Sequence, residues 1–350
     1  MPVVESGAGK RVLVTGANGY IALWVVRTLL EQGYAVRGTV RSESKGKRMQ
    51  EIFSSYGDNF EWVVVEDITK DGAFDKAVEG VDAIEHMASP LISSTGDPDE
   101  YIKPAVHGTL GILESALKFG TNVKRIIVTS SVGAILRTVA HLPVVTFTEN
   151  DWGDEFVETV NTVGKAASEI VKYRASKTLA ERAAWEFYKK RKTEIGWDLV
   201  MINPPLVLGP ALQDLKTPAD LNLSLSTWYN SVVKDVPDAV LGMTYGYADV
   251  RDVADAHVES LKKDAAGGER IIIAEGTTTW QDTRDLLSTL RPELYTSSIL
   301  PRGKPELQRQ VLFDYNAEKG KKILGLKYRT LAESARDMLA DWEGRGWIGK

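Results

Sequence analysis

The sequence predicts an α/β protein: a doubly wound parallel sheet with a smaller, discontinuous C-terminal substrate-binding domain. Short apolar runs alternate with helical patterns of ten or more residues from Lys10 to Ile202, which implies right-handed βαβ units and a parallel sheet. The first of these runs enters a glycine turn and then a helix, Val12-Leu13-Val14-Thr15-Gly16-Ala17-Asn18-Gly19-Tyr20-Ile21-Ala22. After Asn203 the alternation breaks at Pro204-Pro205 and Gly209-Pro210, a boundary signal.

Taken in order, residues 10–16 form a strand, and 20–32 a helix with Ile21, Val25, Leu29 and Leu30 on one face and Gly33 at its stop. Residues 34–40 form the second strand, 45–56 a polar helix and 61–65 the third strand. A helix near 71–78, a strand at 83–87, a helix over 104–119 and a strand at 124–131 follow. A long helix from about 166 to 192 and a strand at 197–202 close the series. Residues 250–262 read as a helix returning to the main domain and 269–274 as a further strand. The expected division is therefore 1–205 plus about 245–275 for the main parallel-sheet domain, with about 206–244 and 276–350 as the cap over the carboxyl ends of the strands.

Composition fits an ordinary soluble protein, with 43% hydrophobic and 26% charged residues over 350 positions. A net charge of −5, with no basic stripe, argues against nucleic acid as the main partner. With no cysteine, disulfides, thiolate metal sites and cysteine nucleophiles are excluded. The four histidines (His86, His107, His141, His257) show no metal-ligand spacing. Met1 to Lys10 lacks the apolar stretch of a signal peptide, and no run is long enough to span a membrane. A cytoplasmic monomer or homodimer, without metal, is expected.

The turn from Gly16 to Ala22 suits a dinucleotide, because its glycines let the backbone approach a pyrophosphate at a helix N-terminus. The end of the second strand selects which dinucleotide. An acid there would accept from a ribose hydroxyl, but this chain has Val40-Arg41-Ser42, followed by Lys45 and Lys47. A guanidinium at Arg41 can pair with a 2′-phosphate, which favours NADPH; the competing reading is a solvated basic loop. Asp67 can accept from the adenine amino group or cap a following helix.

A Tyr-x-x-x-Lys pair puts both side chains on one helix face, where the ammonium favours loss of the phenol proton from its usual pKa of ~10. The spacing occurs three times, at Tyr173/Lys177, Tyr188/Lys192 and Tyr315/Lys319. Only Tyr173 stands near the start of the long helix, 42 residues after a serine that ends a strand. Either Ser131 or Ser130 could donate to the same carbonyl oxygen, but neighbours in a strand point to opposite faces, so one alone reaches it.

These segments, with His86-Met87-Ala88-Ser89-Pro90, Val128-Thr129-Ser130-Ser131, Tyr173-Arg174-Ala175-Ser176-Lys177, Asn203-Pro204-Pro205-Leu206-Val207 and Asp249-Val250-Arg251-Asp252, resemble the extended short-chain dehydrogenases/reductases. The resemblance runs from Val12 to about Ala274, within the NADPH-dependent carbonyl, aldehyde and methylglyoxal reductases related to dihydroflavonol reductases. It implies a Rossmann fold and reduction of a ketone or aldehyde, with Ser131, Tyr173 and Lys177 as the catalytic set. It further implies that Arg41 and Lys45 hold the 2′-phosphate and that Asp67 and Ile68 contact adenine. Gly16, Asn18, Gly19, Tyr20 and Ile21 would bind the pyrophosphate side, and Met87, Ala88, Ser89 and Thr129 would line the cleft. Pro204, Leu206 and Val207 would line the nicotinamide side.

Many relatives carry asparagine where this chain has Ala105, which removes that residue from any proton relay. The Asn-Trp-Tyr-Cys run of cinnamoyl-CoA reductases is also missing. The substrate is expected against Val132, Leu225, Trp228 and Tyr229, the last three within an apolar stripe from Leu221 to Tyr229, with Leu223, that could equally be helix core. The loops at 91–95, 132–136 and 228–245 would shape its choice. Two rival functions remain at this stage, a nucleotide-sugar epimerase and a non-catalytic redox sensor.

Overall fold

The computed structural model describes residues 4–5, 9–89 and 95–349. Its first half runs β1 (Arg11–Thr15), α1 (Tyr20–Glu31), β2 (Ala35–Val40), α2 (Glu43–Ile52), β3 (Phe60–Val64), β4 (Ala83–His86), α3 (Asp99–Phe119) and β5 (Arg125–Thr129). Then come β6 (Val145–Phe147), α4 (Asp154–Val163), α5 (Glu169–Lys190), β7 (Asp198–Asn203), β8 (Leu206–Leu208), α6 (Leu223–Val233), α7 (Asp238–Leu241) and β9 (Thr244–Asp249). The chain ends with α8 (Val250–Lys262), β10 (Arg270–Ile272), β11 (Gly276–Thr279), α9 (Trp280–Leu290), α10 (Pro292–Thr296), β12 (Phe313–Tyr315), α11 (Glu318–Leu324) and α12 (Leu331–Gly344).

Seven strands form one parallel sheet in the order β10-β7-β5-β4-β1-β2-β3. The chain winds outward from β1 in one direction and then, from β4, in the other. That reversal opens a crevice at the carboxyl ends of β1 and β4, where doubly wound sheets take their ligands. Both faces are covered, so the strands read as unbroken apolar runs. Alternation within them feeds two cores. Val12, Val14, Val36 and Ile202 pack toward α1 and α8, while Leu13, Ile84, Ile126 and Met201 pack toward α3 and α5.

At the opposite edge a buried ion pair aligns β5 with β7. Arg125 makes two bonds to Asp198, Nε–Oδ1 at 2.6 Å and Nη2–Oδ2 at 2.7 Å. Its Nη1 also donates to the carbonyls of Ser260 and Lys263 on and just after α8, so the guanidinium ties two strands to a helix.

Two sequence expectations change, and one stretch carries elements beyond those expected. The segment near 71–78 is a string of turns rather than a helix. Gly72 and Gly80 take φ of 70° and 71°, the left-handed region that breaks helices, while Phe74 and Val78 still bury into the core. The segment at 245 does not go straight back to the main sheet. There β9 pairs with β8 and β11 in a separate three-stranded sheet, and the return is made by α8 and β10. Between β5 and α5 the chain also forms β6, paired with the distant β12, and the helix α4. Among the described residues no helix is long and apolar enough to cross a membrane.

Candidate active site

The glycine turn spends some of its amides internally. Gly16 N–H donates to Thr39 Oγ1 (3.0 Å), Ala17 N–H to the Thr39 carbonyl (2.9 Å), and Gly19 N–H to the Gly16 carbonyl (2.9 Å). Gly16 has φ of 62°, and a Cβ there would sit 3.0 Å from Ala88 Cα, so only glycine fits. The first amides of α1 have no intrahelical acceptor, and its first turn holds no acid to oppose an anion.

One cleft gathers most of the expected cofactor residues. Gly16, Asn18, Gly19, Tyr20, Ile21, Arg41, Lys45, Ile68, Met87, Ala88, Ser89, Thr129, Pro204 and Val207 line it, together with Ser131, Tyr173 and Lys177. Arg41 and Lys45 reach it without a salt bridge to any described residue. Lys47 and Arg48, by contrast, turn away to Glu43, Glu51 and Asp214. The cleft thus offers a pair of uncommitted cations at one end, free helix amides in the middle and a phenol with an ammonium at the other end. That donor set fits a dinucleotide carrying an extra phosphate.

Asp67 and Leu206 lie outside the lining. Asp67 closes a local turn instead, its Oδ1 accepting from Thr69 N–H (2.9 Å) and Oγ1 (2.7 Å). Those bonds hold its carboxyl below the usual range, and no helix follows for it to cap. Leu206 leans on the main core while its neighbours Pro205 and Val207 face the cleft, as alternation in an extended segment requires. Val65, Pro205 and Gln213 line the cleft without having been singled out.

The two serines divide by their partners. Ser130 gives its proton to the buried carboxylate of Glu181 (Oγ–Oε2 2.5 Å). Glu181 also accepts from Asn203 Nδ2 (2.8 Å) and Arg270 Nε (2.5 Å). Ser131 Oγ instead accepts from Gly133 N–H (3.0 Å), which leaves its own proton free to donate. Lys177 Nζ stands 5.9 Å from the Tyr173 ring centre and donates to Ser89 Oγ (3.2 Å). A Cβ built on Gly133 would lie 3.3 Å from Ser131 Oγ and 3.6 Å from the Tyr173 ring edge. Gly133 is therefore the residue of the expected 132–136 loop that sits against both Ser131 and Tyr173, and its place two residues after Ser131 is the only signal for it in the sequence.

The other two Tyr/Lys pairs lie elsewhere. Tyr188 takes a hydrogen bond from Lys192 and is buried against Trp185 and Trp197 near the C-terminal end of α5, away from the cleft. Tyr315 is buried in β12, and Lys319 pairs with Glu269.

The expected substrate residues need correction. Leu225, Trp228 and Tyr229 point into the core, where Trp228 and Tyr229 meet Trp342 of α12 at centroid distances of 5.4 and 4.9 Å. Val132 is buried with Ile135 and Phe147. The stripe is helix core, and α6 meets the cleft through its first turn, Asn222, Leu223 and Ser224. Asn222 caps that turn through Oδ1, which accepts from Leu225 N–H (3.1 Å). Of the loop expected at 91–95, residues 91–94 lie outside the described residues.

A sequence model described as the NAD dependent epimerase/dehydratase family matches residues 12–274. The NADPH-dependent methylglyoxal reductase GRE2 of Saccharomyces cerevisiae is 34% identical over 348 residues, covering 95% of this chain and 99% of that protein. The ketoreductase azaE of Aspergillus niger is 34% identical over 334 residues, covering 92% of this chain and 94% of that protein. Among solved structures, yeast methylglyoxal/isovaleraldehyde reductase Gre2 complexed with NADPH superposes with a TM-score of 0.85 at 32% identity, covering 97% of this chain and 100% of that one.

Proposed function

The chain belongs to the NAD dependent epimerase/dehydratase family, the extended short-chain dehydrogenases/reductases, and on that footing we propose that it is an NADPH-dependent carbonyl reductase. It converts a ketone or aldehyde into an alcohol. Its similarity to reductases named for NADPH, methylglyoxal and ketones supports the reading. The observation that carries it is the pairing of Ser131, whose hydroxyl proton is uncommitted, with Tyr173 in the cleft that Arg41 and Lys45 enter.

NADPH, when bound, supplies hydride to the carbonyl carbon. The chain's residues supply the rest. Arg41 and Lys45 take the 2′-phosphate, and the α1 amides with Gly16, Asn18 and Gly19 take the pyrophosphate. Ser131 donates a hydrogen bond to the carbonyl oxygen as negative charge develops there. Tyr173 Oη gives that oxygen its proton, and Lys177 holds a positive charge beside the phenol. The division of labour follows the sheets: the seven-stranded sheet with its helices binds the dinucleotide. The segments around α6, β9, α7 and the C-terminal helices form the cap over the substrate. A cytoplasmic setting and a monomer or homodimer complete the proposal, since a cysteine-free chain tolerates a reducing compartment.

The test follows loss of NADPH absorbance with α-ketoesters, aryl ketones and methylglyoxal. Consumption by at least one of them is expected, and Tyr173→Phe is expected to abolish it while leaving NADPH affinity within about twofold. Binding of NADPH without turnover of any compound refutes the reductase reading, and full activity in Tyr173→Phe refutes the proton donor.

A further inference from the structure

Behind the catalytic side of the cleft lies a second, smaller cavity. It shares Ala88, Ser89, Thr129, Ser130 and Lys177 with the cleft and reaches back to His86, Thr109 and Glu181. About 20 Å³ of it can hold the centre of a water molecule, room for at least one.

The protonation of His86 follows from its neighbour. Thr15 Oγ1 accepts from the backbone amides of Met87 (3.0 Å) and Ala88 (3.1 Å). With both lone pairs engaged, its one proton goes to His86 Nδ1, 3.0 Å away. Nδ1 is thus an acceptor, and the ring proton sits on Nε2. Burial, with the charge of Lys177 adding to it, pushes the imidazole pKa down to about 3, so the ring stays neutral. His86 is 2% exposed, and Nε2 finds no acceptor among the described residues. A buried N–H left so is costly, and the polar space next to this ring is the cavity.

We propose that the cavity is a water site in which His86 Nε2 donates to a bound water that also accepts from Lys177 Nζ, making His86 a positioning residue for that lysine. The water's two protons have acceptors on the same walls. Ser130 Oγ has spent its proton on Glu181 and keeps its lone pairs, and the Thr109 hydroxyl has no described partner. Ala105 also lines the cavity but offers only a methyl group, so the polar duty falls on His86. Held from the cleft side by Ser89 and from behind by the water, Lys177 keeps its ammonium in one place beside Tyr173. The role of Lys177 rests on the reductase reading; the water does not.

Two experiments test this with the full chain. A high-resolution crystal structure with NADPH is expected to show an ordered water within hydrogen-bond distance of both His86 Nε2 and Lys177 Nζ. A dry cavity, or a water touching one of them alone, overturns the site whether or not any carbonyl is turned over. In kinetics, His86→Phe keeps the edge-to-face packing on Phe74 (5.9 Å) but removes the donor. It is expected to lower kcat about tenfold, the worth of one hydrogen bond, with KM and NADPH affinity within about twofold. His86→Gln, whose amide nitrogen reaches the Nε2 position, is expected to recover most of that loss. Equal loss in both variants, or none in either, overturns the positioning role. Should His86→Phe not fold, Thr109→Val removes an acceptor from the opposite wall. It is expected to lower kcat about threefold with KM unmoved, and an unchanged kcat overturns the proposal.

Discussion

His86 makes a pH-dependent claim on stability whose size can be worked out. The ring is fully enclosed between β1, α3 and α5, and its pKa falls from 6.5 to about 3 through burial and the nearby Lys177 charge. In the unfolded chain it titrates near the ordinary value of ~6.5. Below that pH the unfolded state binds a proton the native state refuses, so stability is present in full above about 6.5 and is lost as the pH falls toward 3. Between pH 7 and pH 5 the loss from this one group comes to about 2 kcal/mol. Equilibrium urea unfolding of the wild type and of His86→Phe at both pH values isolates it, because every other titrating group is common to the two proteins. The wild type is expected to lose about 2 kcal/mol more than the variant on acidification. Parallel losses, within about 0.5 kcal/mol, would mean that the ring takes up its proton in the folded state, and the neutral Nε2–H assignment would fall with it.

Arg41→Ala is expected to narrow the preference for NADPH over NADH by about 10- to 100-fold, the worth of a charge-assisted phosphate contact. Titrating both cofactors by fluorescence checks it, and an unchanged ratio removes Arg41 from the phosphate. Gly133→Val would wedge a side chain between Ser131 Oγ and the Tyr173 ring. A displacement of that order is expected to cut kcat about 100-fold while NADPH binding holds, measured by steady-state kinetics beside a binding titration. Asp198→Ala strands the buried Arg125 guanidinium and is expected to cost about 3–5 kcal/mol in urea unfolding, a loss far from the cleft.

The parts of the molecule legible in the sequence are those fixed by local chemistry. β1, the glycine turn and α1 could be read directly, because a strand covered on both faces is an apolar run and a left-handed Gly16 admits no other residue. Tyr173 could be separated from Tyr188 and Tyr315 by its place after a strand-ending serine. What could not be read depends on a partner far along the chain. Alternation says that Ser130 and Ser131 face apart, but which one keeps its proton is decided by Glu181, 51 residues on. The turns at 71–78 carry helix-compatible residues, but left-handed Gly72 inside them and Gly80 just beyond them break the helix.

The case of α6 has the largest consequence for substrate choice. Leu225 and Trp228 fall on one apolar stripe at helical spacing, and nothing local says whether that stripe covers a ligand or another helix. Trp342, more than a hundred residues later, decides it by packing its ring at a steep angle against Trp228 and Tyr229. The argument for an apolar substrate from that stripe therefore lapses. What α6 presents to the cleft is a capped first turn, with Leu223 49% exposed between two polar neighbours, Asn222 and Ser224. A helix start of that kind offers amide and side-chain donors as readily as apolar surface. Residues 222–224 are thus the part of α6 that lines the cleft, and their side chains can change without touching the core that Trp228 anchors.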